Sequence, residues 1–161
     1  MTSAEKALAA LRAVGLSDVL YLPGQESYNT RVASYWSLTA QLRPWAIVQP
    51  RNTLEVSKAV KAIVSVPAVR FAVRRCAFPS VFVRSVESDE LADFVYYSGG
   101  HMARAGANNI VDGITIDLGL MNSTTYNSKT AIASLEPGGS WAVSYMEIEK
   151  RSFSSHCLPF T

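Results

Sequence analysis

The chain opens on a helix-start signature. Thr2-x-x-Glu5 is a capping box, and Ala7, Leu8 and Leu11 follow at helical spacing, with Gly15 suited to the position just past the helix end. Residues 17–44 show no sustained period and read as irregular, with a turn at Pro23-Gly24 and an aromatic, polar run through Tyr28, Tyr35 and Trp36. Trp45-Ala46-Ile47-Val48 is a short apolar run bounded by Pro44 and Pro50, which predicts a buried strand. Asn52-x-x-Glu55 starts a second helix, along which Val56, Val60, Ile63 and Val64 form one apolar stripe until Pro67 ends it. Phe71-Ala72-Val73 predicts the next strand. Strand, helix and strand within this span make a right-handed βαβ unit with parallel strands.

Further along, Asp112-Gly113 marks a turn. Ile114, Ile116 and Leu118 then alternate with Thr115 and Asp117, the pattern of a half-buried strand. That alternation puts Asp117 on the strand surface. Ala131 to Leu135 predicts another strand. Pro137-Gly138-Gly139 turns the chain, and Ser140 caps a helix with Trp141, Tyr145 and Ile148 on one face, the first two read as core anchors. Two segments break the consistency of local signals. Residues 75–97 interleave Cys76, Phe78, Phe82, Phe94, Tyr96 and Tyr97 with acidic Glu87, Asp89, Glu90 and Asp93, without a helical or strand period. Residues 151–161 are rich in hydroxyl side chains and have no core pattern.

At 161 residues the chain has room for one domain or two small lobes. A composition 48% hydrophobic and 17% charged is globular and rather apolar. The net charge of +2 is too small to indicate a nucleic-acid partner, and no stretch interleaves basic and aromatic residues. No run reaches the roughly 18 apolar residues of a membrane span, and the N-terminus lacks the apolar core of a signal peptide, so the sequence as written points to the cytoplasm. The two cysteines, Cys76 and Cys157, have no metal-ligand spacing and both fall in the discordant segments. No metal site is expected.

The most distinctive chemistry is the stretch Ser98-Gly99-Gly100-His101. Paired glycines let backbone N–H groups approach a ligand unhindered, and such a loop is able to cradle a pyrophosphate. His101 is one of two histidines in the chain. With its flanks, the stretch resembles the flavin-attachment loop of the FAD-linked oxidoreductases of the p-cresol methylhydroxylase and berberine-bridge-enzyme type. The resemblance rests on an ordered set of motifs. Pro44-Trp45-Ala46-Ile47-Val48-Gln49-Pro50 is similar to the family's first strand, and Thr53-Leu54-Glu55-Val56 begins its helix. Phe71-Ala72-Val73-Arg74 matches the front of the strand that ends in Ser98-Gly99-Gly100-His101 once residues 75–97 are removed. Gly113-Ile114-Thr115-Ile116-Asp117-Leu118, Met121-Asn122 and Pro137-Gly138-Gly139-Ser140-Trp141 are similar to the elements that follow. The match covers residues 16–150 apart from the insert, and the chain is identified as a truncated and interrupted fungal-type member.

The resemblance implies an α+β fold, the first lobe of a p-cresol methylhydroxylase-type FAD-binding domain with a small, mainly parallel sheet and flanking helices. It divides the chain into an N-terminal helix and irregular segment (1–43), a partial FAD-binding domain (44–150) interrupted by the insert 75–97, and a tail (151–161) outside the family pattern. The insert is expected to be a poorly ordered excursion whose closure costs roughly 1.5 kcal/mol by the logarithmic rule. The family oxidises small organic molecules by hydride transfer to FAD, which returns electrons to O₂ or another acceptor. The resemblance implies a pyrophosphate held by the amides of Ser98, Gly99 and Gly100, with Arg74 as charge partner. It further implies an FAD covalently tethered through His101 in an intact homologous product. No catalytic base is assigned, because the second lobe and substrate domain of the family have no counterpart here. Two functional classes follow: an FAD-linked oxidoreductase, or a non-catalytic fragment, translated from retained introns or a faulty gene model, that binds no cofactor. The oligomeric state is not indicated.

Overall fold

The computed structural model describes residues 1–75 and 105–152. Helix α1 (Ser3–Ala13) begins with the expected capping box: Thr2 Oγ1 accepts from the Glu5 amide, and the Glu5 carboxylate accepts from the Thr2 amide. Gly15 follows it at φ +79°, a conformation that favours glycine. A 3₁₀ turn (Ser17–Val19) leads into the two-residue strand β1 (Leu20–Tyr21). Residues 26–33, expected to be irregular, form helix α2 (Glu26–Ala33), whose buried Tyr28 and Val32 are four residues apart on one face. The helix is short and polar on its other faces, so its stability comes from docking rather than propensity.

Strand β2 (Ala46–Val48), helix α3 (Thr53–Val64) and strand β3 (Arg70–Arg74) form the expected strand-helix-strand run, with Asn52 Oδ1 accepting from the Glu55 amide to start the helix. Strand β4 (Gly113–Asp117) inserts between β2 and β3 and pairs parallel with both, giving a four-stranded sheet of order β1-β2-β4-β3 with β1 antiparallel. Gly113 is required where β4 begins: a Cβ there would lie 2.6 Å from the Arg70 carbonyl oxygen.

Both faces of the sheet are covered at β2 and β4, while Phe71 and Val73 of the edge strand β3 stay exposed, and the strand alternation assigns each residue to a side. Leu20, Ala46, Val48, Ile114 and Ile116 pack against α1 through Ala7 and Leu11 and against α3 through Ala59, Ala62 and Ile63. Ile47 points the other way, to Tyr28 and Val32 of α2. Strand β4 is therefore buried along its whole length rather than half-buried, and Asp117 is 1% exposed rather than on the surface. The alternation of Thr115 and Asp117 with isoleucines marks a polar buried face beneath α2.

Beyond β4, a 3₁₀ turn (Leu118–Leu120) leads to a separate antiparallel hairpin of β5 (Thr124–Asn127) and β6 (Ile132–Leu135). Helix α4 (Trp141–Ser152) starts at Ser140, whose hydroxyl accepts from the Val143 amide, and it meets β5 through the Thr124 and Ser144 hydroxyls. Trp141 and Tyr145 stack on each other but are exposed, so they are not core anchors. The insert expected to be poorly ordered, apart from Arg75, and all but the first two residues of the tail lie outside the described residues. Among the described residues no helix is long and apolar enough to cross a membrane.

Candidate functional site at the carboxyl edge of the sheet

Ligands of open α/β sheets bind beyond the carboxyl ends of the parallel strands. Here those ends are Val48-Gln49, Arg74-Arg75 and Asp117-Leu118, and α2 delivers its C-terminal turn onto them. Arg74 and Asp117 face each other in register across β3 and β4, both on the α2 side. Arg74 Nη1 is 3.7 Å from Asp117 Oδ2. The same carboxylate oxygen accepts from Arg31, on the last turn of α2, through Nε at 3.0 Å and through Nη2. Asp117 Oδ1 accepts from the Gly119 amide at 2.9 Å, so one buried carboxylate ties together α2, β3 and the turn after β4. With its amide oxygen turned toward α2, Gln49 accepts from Arg31 Nε at 3.0 Å.

Arg74 is 2% exposed, and its guanidinium is turned toward α2. Nη1 donates to the Arg31 carbonyl at 3.0 Å and to Ser34 Oγ at 3.2 Å, and Nη2 donates to the Ser34 carbonyl at 3.1 Å. These carbonyls are among those a helix leaves unpaired at its C-terminus, where the macrodipole is negative, so a cation satisfies both demands. The guanidinium also lies over the Tyr35 ring, 3.6 Å from its centroid. Burial lowers the Arg74 pKa from its ordinary value, against the opposing effects of Tyr35 and Asp117. Burial likewise raises the Tyr35 phenol, whose O–H donates to the Asn108 carbonyl at 2.9 Å. The network continues through Asn109. Its amide donates to the Ala40 and Leu42 carbonyls, and its oxygen accepts from the Thr115 hydroxyl at 2.8 Å.

Arg75 turns outward, and its Nε donates to the Pro137 carbonyl at 3.1 Å. That turn is packed backbone to backbone: a Cβ on Gly138 would lie 2.0 Å from the Leu118 carbonyl oxygen. The two arginines at the end of β3 are thus held on opposite sides, by α2 and by the Pro137-Gly138-Gly139 turn.

Of the residues expected at a cofactor site, Arg74 is described and lies in this cluster. Ser98, Gly99, Gly100 and His101 lie outside the described residues. Sequence reading missed Arg31, Tyr35 and the inward placement of Asp117. The only local trace was the i,i+4 pair Tyr28 and Val32, too few apolar positions to mark a helix by themselves. Two arginines against one aspartate leave an excess positive charge at the carboxyl edge, and Arg74 Nε is buried without a hydrogen-bond partner among the described residues. An anionic ligand such as a dinucleotide would meet this charge through Arg31, whose side chain is 18% exposed, rather than through Arg74 at 3%. Among the described residues no cluster of metal-ligating side chains occurs.

No family model matches the chain. It is 33% identical over 144 residues to the FAD-dependent monooxygenase sdcF of Emericella nidulans, covering 89% of this chain and 25% of that protein. Among solved structures, wild-type Phl p 4.0202, a glucose dehydrogenase, superposes with a TM-score of 0.65 at 16% identity, over 90% of this chain and 26% of that one. A berberine bridge enzyme variant, a reticuline dehydrogenase, gives a TM-score of 0.63 at 18% identity, over 89% and 26%. The chain spans about a quarter of the length of the curated relative and of each solved structure. Over that span, this chain is similar to proteins named FAD-dependent monooxygenase and FAD-linked oxidoreductase, and it carries the fold of the berberine-bridge-enzyme-like FAD-binding domain.

Proposed function

We propose that this chain supplies the FAD-binding lobe of an oxidoreductase, with residues 44–150 as the cofactor-holding part. When bound, FAD would supply hydride acceptance from a small organic substrate and reoxidation by O₂. The observation that carries this reading is the match to an FAD-dependent monooxygenase along nearly the whole chain, together with the FAD-domain fold. The amides of Ser98, Gly99 and Gly100 would hold the pyrophosphate, and the His101 imidazole would be the tether for the flavin in an intact homologous product. Arg74 contributes positive charge immediately upstream of the insert. A second reading, a non-catalytic fragment that takes up no FAD, is consistent with the same quarter-length coverage.

Titration of the purified chain with FAD, followed by flavin fluorescence, separates the two. The first reading expects saturable quenching that weakens in Gly100→Ala and His101→Ala. An unsaturable, nonspecific response would leave the fragment reading standing.

A further inference from the structure

The guanidinium of Arg74 spends its described contacts on protein. It caps the C-terminus of α2 through the Arg31 and Ser34 carbonyls, meets Ser34 Oγ and Asp117, and lies against Tyr35. Its side chain is 3% exposed, so a phosphate has little guanidinium surface to reach. The next residue, Arg75, is fixed from the opposite side by the Pro137 carbonyl. These contacts determine where the chain leaves β3.

We propose that Arg74 is a positioning residue for FAD: it fixes the end of β3 against α2 and influences cofactor affinity without touching the phosphates. This rests on the FAD reading above. The chemistry of the contacts separates positioning from direct charge pairing. Positioning needs the planar fork, because three acceptors on α2 are met by two nitrogens, whereas charge pairing needs only a cation. A buried cation is also screened little by salt, unlike a solvent-exposed phosphate contact.

The test is FAD titration of the full chain at low and high ionic strength for the wild type, Arg74→Lys and Ser34→Ala, with urea unfolding to confirm that each variant is folded. Arg74→Lys is expected to weaken FAD binding about tenfold despite keeping the charge, because small displacements of a supporting shell degrade a site. Ser34→Ala, which removes the hydroxyl contact to Arg74, should weaken it about threefold. The salt dependence of affinity should be the same in all three proteins. Folded Arg74→Lys binding FAD as tightly as the wild type, or with an altered salt dependence, would overturn the proposal and favour a direct phosphate contact. A folded wild type that binds no FAD overturns the cofactor reading itself, and the positioning role with it. The two failures are therefore distinct.

Discussion

Arg31 and Asp117 are far apart in sequence, yet the last turn of α2 brings the arginine onto the carboxylate at the end of β4, where Asp117 is 1% exposed. The pair fastens a short helix to the sheet edge. Without Asp117, two guanidinium groups would be left in a buried site. Asp117→Ala is therefore expected to destabilise the fold by about 3–5 kcal/mol, the cost of breaking a buried pair by removing one partner. Urea unfolding measures it. The exposed Arg51–Glu55 pair is the internal control: Arg51→Ala should leave the unfolding midpoint nearly unchanged.

Tyr28 anchors the other end of α2. Its hydroxyl donates to the buried Pro44 carbonyl at 2.7 Å. Tyr28→Phe keeps the ring packing on Ile47 and deletes only this bond, so it should lower stability by about 1–2 kcal/mol. A loss several times larger in thermal or urea unfolding would show that the hydroxyl organises more than this one contact.

Gly24 and Gly138 should respond differently to alanine. Gly24 has open space around it, and its cost is conformational, from φ +93°. Gly24→Ala is expected to cost on the order of 1 kcal/mol. At Gly138 the new Cβ would meet the Leu118 carbonyl at 2.0 Å and the Met121 carbonyl at 2.7 Å. Backbone must move, and a loss of about 3 kcal/mol or more is expected, at the upper end of overpacking costs. Comparing the unfolding midpoints of the two variants checks the order.

Stability should fall in alkali. Burial raises the Tyr35 phenol above its ordinary value of 10.0, so the unfolded chain loses this proton before the folded one does. The stability this contributes is complete below about pH 10 and is lost as pH rises beyond that value toward the raised one. Tyr28 is raised in the same direction, also by burial. Tyr35→Phe should flatten the decline of unfolding free energy above pH 10, while lowering stability at neutral pH by about 1 kcal/mol through loss of the bond to Asn108. An unchanged alkaline slope in the variant would exclude Tyr35 as a source.

The local signals in the sequence were sufficient for α1, α3, β2, β3, β4 and the Ser140 cap. In each, a side-chain cap or an apolar period acts within a few residues, and the structure forms the element, although α3 buries Ala59, Ala62 and Ile63 and leaves Val64 exposed, and β4 is buried on both faces. The ordered motifs around Gly99-Gly100-His101 were likewise legible, and they led to the family that the relatives and the fold bear out. The sequence could not place β4 between β2 and β3, because pairing order depends on backbone partners many residues apart. Nor could it show Asp117 as buried. An alternating strand reads as half-exposed until a second helix covers its polar face, and α2 does so with too few apolar residues to announce itself. The roles of Arg31, Tyr35 and Arg74 arise from that covering: their charges and hydrogen-bonding groups acquire partners only when α2 lies across the carboxyl ends of the strands. Local propensity determined the pieces of this protein; desolvation of a polar sheet face by a distant helix determined how its edge is held together.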